Sequence, residues 1–384
     1  MGTNFLSHLH ALGGDVVTYI VPFLFVLSLV VFFHELGHFL VARWCGVRIL
    51  VFSIGFGPEL LGFYDRHGTR WKIAAIPLGG YVRFFGDENA ASAAPDTARL
   101  EAMTESERAQ SFVFQNVRKR AAIVVAGPLA NFLLAIVIFS AIFMLYGKQT
   151  MSARVDTVQP DSPAAAAGFQ PGDVVVAIDG QAIENFSDMQ RIVSESAGDA
   201  LRITVERKGS EQVLTATPTL KEIKDSFGNV HRIGILGISR SMAPEDLKFQ
   251  PVAPPQAIAM GVQETWFVVT RTLSYIGGVI IGREAADQLG GPIRIAQMSG
   301  QVASISFVAL IHLAAVLSVS IGLLNLFPIP LLDGGHLLFY AIEAMRGRPL
   351  SDRAQEVGLR IGFAIVVMLM IFATFNDIVH LTTS

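Results

Sequence analysis

Charge is scarce in this sequence. Only 16% of its 384 residues are Asp, Glu, Lys or Arg, against 52% hydrophobic. Soluble domains carry about 25% charged residues. The deficit excludes an ordinary soluble enzyme and points to a chain built for lipid. Net charge is −3, so no bulk basic character argues for nucleic acid, and none is expected as a partner. There is one cysteine, Cys45. It cannot form an internal disulfide, and a small apolar filler near a membrane interface is its ordinary role. Basic residues are also missing from the N-terminal run MGTNFLSHLHALGGDVV. A cleaved signal peptide wants a basic start and a small-residue cleavage site. Neither is present, so the first apolar run is expected to stay as a transmembrane helix.

Long apolar runs are abundant. About 20 helical residues cross the hydrocarbon of a bilayer, and four segments reach that length. The implied fold class is a polytopic α-helical membrane protein with four transmembrane helices. The expected order is residues 1–46, an N-terminal tail and first span; 47–118, a cytoplasmic β-rich, re-entrant loop of short strands and turns followed by a mobile polar segment; 119–147, the second span. Then come 151–240, a small α+β domain; 241–304, a proline-rich linker and an amphipathic or interfacial helix; 305–336, the third span; 337–355, a loop; and 356–379, the fourth span. Arg43, Arg48, Arg66, Arg70, Lys72, Arg83 and the RKR run at 118–120 crowd the first connection, and Arg346, Arg348 and Arg353 the third. Basic connections face the cytoplasm, which puts both termini and the 151–240 domain outside.

Against this background the stretch FFHELGHFL, residues 32–40, carries three ionisable groups into the end of the first span. Each costs roughly 2.5–3.5 kcal/mol in mid-bilayer on insertion scales. His34, Glu35 and His38 fit H-E-x-x-H. On a helix, positions i and i+4 share a face, so both imidazoles can reach one zinc ion, and Glu35 can hold and deprotonate a water that zinc has acidified to a pKa of about 7. A catalytic zinc needs a third protein ligand and an open position. Val41 and Trp44 stand where a metzincin would have Gly and His, which excludes that class. Glu59, after Gly57-Pro58, and His312, in mid-span, are weak candidates. Asp333 in NLFPIPLLDGGH, residues 325–336, is a better one, with His336 as a rival from the same turn. Pro328 and Pro330 break the helix there, and Gly334 and Gly335 permit unusual backbone angles. Such a break can aim a carboxylate inward and leave backbone groups for an extended peptide.

These paired motifs, HELGH and NLFPIPLLDGG, resemble the site-2 protease family of intramembrane zinc metalloproteases. GPLANF (127–132), GFGPEL, GGYVRFFGD and LGGPIRIA (289–296) are similar to further family segments, so the resemblance covers nearly the whole chain. It is closest to the RseP-type (regulator of sigma-E protease) branch. The resemblance implies one zinc ion held by His34, His38 and Asp333, Glu35 as acid/base, Asn325, Pro328 and Pro330 in a substrate-contacting segment, and Asn131 as a supporting residue. SPAAAAGFQPGDVVVAIDGQAI (162–183) resembles a PDZ domain of the bacterial protease type, with Gly234 and Gly237 of GILG in its carboxylate-binding turn. There is room for one such domain, where enterobacterial relatives carry two. The family's substrates are membrane proteins already cut by another protease. The implied activity is the second cleavage of single-span proteins, such as an anti-sigma factor or a signal-peptide remnant, in the bacterial inner membrane, with the PDZ domain and both termini periplasmic and the zinc site near the cytoplasmic side. A PDZ adaptor with an inactive zinc site and a zinc transporter are the rival classes. Intact Glu35 and the scarcity of mid-span carboxylates argue against both.

Overall fold

The computed structural model describes residues 2–86, 102–151, 153–183, 185–224, 230–240, 247–282 and 290–383. Residues 87–101 of the polar segment, 241–246 of the linker and Leu289 of LGGPIRIA lie outside them. The chain forms two compact units, Met1–Ile142 with Pro254–Ser384, and Phe143–Ala253.

The first unit opens with α1 (Gly2–Trp44), of which Val17–Trp44 is long and apolar enough to cross a membrane. After it come β1 (Ile49–Tyr64), β2 (Arg70–Phe84), α2 (Glu105–Gln110) and α3 (Val117–Tyr146). Short strands were expected over 47–86. The structure instead has two strands of 16 and 15 residues. Bends at Gly55, Gly57 and Gly79, all at positive φ, fold each strand so that it pairs twice: Ser53 with both Tyr81 and Lys72, Ile54 with both Gly80 and Ile73. Phe63 and Tyr64 pair with Trp71 and Arg70. Residues 80–84 pair on one side only and form an edge. Asp65 closes the intervening turn. It accepts from the His67 and Thr69 amides, both at 2.9 Å, and from Arg43 Nη2 of α1 at 2.6 Å. Phe52 stacks on Trp71 with ring centroids 4.2 Å apart, and both pack on Phe39. The far end of the hairpin exposes Leu60, Leu61, Phe63 and Ile76, the surface of a segment seated in an apolar medium. The described end of the polar segment is ordered: Thr104 and Glu107 form a capping box at the start of α2.

α1 and α3 cross in close contact. A Cβ on Gly37 would lie 2.3 Å from the Ala126 carbonyl oxygen, so only glycine allows this approach.

The second unit contains β3 (Lys148–Met151), β4 (Thr157–Val158), α4 (Pro163–Ala166), β5 (Val174–Ile178), β6 (Gln181–Ala182) and α5 (Phe186–Glu195). It continues with β7 (Leu201–Arg207), β8 (Ser210–Ala216), β9 (Thr219–Lys224), β10 (Val230–Ile235), β11 (Ile238–Ser239) and β12 (Leu247–Gln250). Its main sheet has the order β6-β5-β7-β8. Asn185 caps α5, accepting from the Asp188 amide. Lys208 and Gly209, both at positive φ, make the tight turn of the β7–β8 hairpin. Val155, Val175, Ile178, Met189, Ile203, Val205 and Leu236 fill one core.

The chain then re-enters the first unit with α6 (Pro254–Ile280), α7 (Pro292–Ile305), α8 (Phe307–Asn325), α9 (Asp333–Arg346) and α10 (Asp352–Thr383). Three boundaries differ from expectation. Residues 292–305 form a helix of their own, ended by Ser306 at φ −168, whose hydroxyl accepts from the Ala309 amide. The third span is helical only to Asn325, and the expected loop 337–355 carries most of α9. Asp377, 3% exposed, accepts from the amides of Gly291, Ile293 and Arg294 and so ties α10 to the start of α7. α3, α8 and α10 are each long and apolar enough to span, and α10 exposes Ile361, Phe363, Met370 and Ile371. Such an outward surface is stable only in lipid, so the chain is a membrane protein.

Asp173 gives the second unit a pH limit. Burial pushes its carboxyl up, but a two-pronged bond from Arg207, 2.7 Å on each side, and the Gln170 amide hold it below the ordinary carboxylate range. A carboxyl depressed on folding adds stability that is full above its unfolded pKa, about 4, and is lost as pH falls through the folded value. Asp173→Asn is therefore expected to speed amide exchange across residues 153–224 of the intact protein at neutral pH. The gap from wild type should close as pH drops below about 4.

Candidate metal centre

The two histidines face α3 in register. The His38 ring lies over Gly127, where a Cβ would sit 2.3 Å from His38 Nε2. One turn away, Asn131 stands 3.3 Å from His34 Nδ1. The i, i+4 pair of α1 thus meets an i, i+4 pair of α3. His38 Nδ1 is 2.9 Å from the Ile123 carbonyl oxygen. A carbonyl only accepts, so Nδ1 carries the hydrogen and Nε2 presents a lone pair.

Asp333 reaches this pair from a broken segment. α8 ends at Asn325, and Ile329 donates to the Phe327 carbonyl at 2.7 Å and Leu332 to the Ile329 carbonyl at 2.9 Å. Leu331 sits at φ 116, a conformation that L-residues rarely adopt. Gly334 and Gly335 do not serve as expected. Neither has a positive φ. Their role is to admit close backbone: a Cβ would lie 2.2 Å from the Phe327 oxygen at Gly334 and 2.4 Å from the Ile329 oxygen at Gly335. Behind the turn, Gly362 of α10 leaves room for the Pro330 carbonyl, which a Cβ would meet at 1.3 Å. The segment is thus clamped on two sides, and Asp333 starts α9 with its carboxylate at a helix N-terminus.

The three side chains converge. Asp333 Oδ2 is 3.1 Å from His34 Nε2 and 3.5 Å from His38 Nε2, and the two Nε2 atoms are 3.3 Å apart. Asp333 Oδ2 is buried without a hydrogen-bond partner. Two imidazole nitrogens and an orphaned carboxylate oxygen facing one another in a low-dielectric pocket suit a divalent cation, and the donor set of two nitrogens and one oxygen is that of a catalytic zinc with a position left open. Among the described residues, this is the one such cluster of metal-ligating groups.

Glu35 lies beside it, hydrogen-bonded to the Val82 backbone of the hairpin's edge. Gly80 is needed there, since a Cβ would come within 3.0 Å of Glu35 Cγ and 2.8 Å of the Ser53 oxygen. The cavity so formed holds about 240 Å³ and is lined by His34, Glu35, His38, residues 80–82, Asn325, Leu331, Asp333, His336 and Tyr340 among others. His336 is in its wall but outside the ligand cluster. Glu59 lies on β1, not in a loop, and pairs with Arg70. His312 packs its ring 5.2 Å from that of Phe139. Gly80, Val82 and Gly127 fall inside the segments GGYVRFFGD and GPLANF but were given no role in the sequence, and Ile123 was not singled out. No periodicity marks a glycine that admits a neighbour or a carbonyl that orients a ring.

In the second unit, α5 and the 234–238 segment enclose a separate groove of about 170 Å³, lined by Phe186, Met189, Gln190, Val193, Gly234 and Gly237. A Cβ on Gly234 would meet the Val193 oxygen at 2.3 Å, and Gly237 has φ 78. Pro328 is exposed and Pro330 half-buried, and neither lines the metal cavity.

The profile of peptidase family M50 matches residues 22–369. The chain belongs to peptidase family M50. It is 54% identical over 373 residues, 97% of this chain and 99% of the relative, to a protein of Agrobacterium fabrum named "Putative zinc metalloprotease Atu1380". It is 43% identical over 381 residues to the metalloprotease MmpA of Caulobacter vibrioides, covering 94% of this chain and 95% of that one. Part of the chain, 23%, aligns with 91% of a PDZ domain from an SdrC-like protein of Listeria innocua, at 22% identity and a TM-score of 0.19. The protein is a zinc metalloprotease of the site-2 protease family.

Gly127 offers a direct check on the geometry. Gly127→Ala places a methyl group against His38 Nε2 and is expected to lower bound zinc and peptidase activity together while the helices still insert. Bound zinc per chain, measured by mass spectrometry of the purified protein, reads this out.

Proposed function

We propose that this protease cuts the spanning helices of membrane proteins whose outer part has already been removed by another protease. One zinc ion is held by His34, His38 and Asp333, and the convergence of these three ligand atoms within 4.8 Å of one another is the observation that carries the reading. Zinc, when bound, supplies a Lewis acid that polarises a carbonyl and acidifies water. Glu35 takes the proton from the attacking water as the new C–O bond forms, and gives it to the amide nitrogen as the C–N bond breaks. The Val82 contact holds the Glu35 carboxylate toward the cavity. Asn325 at the end of α8 lines the same space, and it and the Pro328–Pro330 turn are assigned to substrate contact.

A spanning helix has all its amides bonded internally, so it must unwind before a peptide bond is accessible. The 80–84 edge beside Glu35 suits an unwound segment, which would pair there as an added strand. This pairing favours extended substrate over intact helix. The second unit is assigned as a PDZ domain whose groove, with Gly234 and Gly237 in its wall, takes a peptide C-terminus. The basic connections support an inner-membrane orientation with the metal centre toward the cytoplasm and both termini and the PDZ domain periplasmic.

Glu35→Gln tests the reading. It is expected to keep zinc and to lower cleavage of a pre-trimmed single-span substrate by about 10²–10⁴-fold. In cells it should leave truncated single-span proteins accumulating in membrane proteomes. Undiminished cleavage would remove Glu35 from the chemistry.

A further inference from the structure

We infer that Asn131 is the residue that fixes His34 as a zinc ligand, by accepting a hydrogen bond from His34 Nδ1–H through its side-chain oxygen. The inference rests on the proposed ligand set and assigns a function to a residue of α3 that holds no metal itself.

Two facts at one position lead to it. Asn131 is fully buried, and its amide lies 3.3 Å from His34 Nδ1 through Nδ2. Its Oδ1 is buried with no hydrogen-bond partner. An amide donating to Nδ1 would require the ring's hydrogen to sit on Nε2. Nε2, however, is the atom that faces Asp333 Oδ2 at 3.1 Å and His38 Nε2 at 3.3 Å, and a nitrogen bearing hydrogen cannot bind a metal. For Nε2 to be the ligand atom, Nδ1 must carry the hydrogen and needs an acceptor. A half-turn of the amide about Cβ–Cγ exchanges its two ends. It gives the orphaned oxygen a donor and His34 its required tautomer in one step.

His38 shows the same arrangement already complete. Its Nδ1 donates to the Ile123 carbonyl at 2.9 Å, leaving Nε2 bare. Ile123 and Asn131 stand on either side of Gly127 on α3, so one helix supplies the orienting acceptor for each imidazole. The support behind Asn131 is rigid. Ser318 of α8 donates to its main-chain oxygen at 2.9 Å, and a Cβ on Gly322 would come within 3.0 Å of Asn131 Cβ. Ligand histidines with such an acceptor bind metal more tightly, and losing it lowers affinity by about 10–100-fold.

The test uses the full-length protein in detergent and measures zinc affinity by competition with a chromogenic chelator, together with the ligand-field spectrum of the cobalt-substituted form. Asn131→Leu has a similar size and no acceptor, and is expected to weaken zinc by about 10–100-fold and to shift the cobalt bands. Asn131→Asp keeps the acceptor and is expected to stay within about threefold of wild type. His34→Ala is expected to lose zinc outright. Wild-type affinity in Asn131→Leu, with zinc lost in His34→Ala, would overturn the inference and leave the ligand set standing. Equal losses in the Leu and Asp variants would assign Asn131 to packing and overturn it as well. Zinc retained by His34→Ala would remove the ligand set and the inference with it.

Discussion

The structure depends on how closely α1 and α3 approach. Gly37 admits the Ala126 carbonyl, and Gly127 admits the His38 ring. A wider crossing would draw Ile123 away from His38 Nδ1 and Asn131 away from His34, and polar side chains inside a helix bundle would lose the partners that make their burial tolerable. Dispersion and hydrogen bonds hold helices together in lipid, with no hydrophobic drive between them, so the small residues that permit contact also make the proposed metal site possible. Packing and chemistry share the same few positions.

The second requirement is a carboxylate that arrives from a distant part of the chain at the right depth. A continuous helix could not deliver it, because the side chain would follow the helix axis past the histidines. The break after Asn325 solves this with two prolines, a strained Leu331 and a new helix beginning at Asp333. Strain of this kind costs about 1–3 kcal/mol and persists only where surroundings impose it. Here Gly334, Gly335 and Gly362 let three carbonyls press in from both sides, and that packing is what holds the turn.

Much of this was legible in the chain. Four spans follow from hydropathy alone, and H-E-x-x-H at the end of the first is conspicuous because ionisable groups are rare there. Asp333 was legible as a candidate through its proline- and glycine-rich setting, although the glycines act through close contact, not through backbone angle. The start of the third span was legible to within two residues, but the separate helix α7 was not, since Arg294, Gln297 and Gln301 break up the apolar pattern of residues 292–305. Nor was the double pairing of the hairpin, which arises when three glycines bend strands that composition describes only as β-prone. Residues that orient others, such as Ile123 through its carbonyl, leave no side-chain signature to read.

The central claim is that two imidazoles from α1 and one carboxylate from the start of α9 form a single metal centre within the helix bundle. X-ray absorption at the zinc edge of the purified protein tests it most directly. The account predicts a first shell of two imidazole nitrogens and carboxylate oxygen, with the imidazole scattering reduced in His38→Ala. A zinc spectrum unchanged by removing His38 would contradict it.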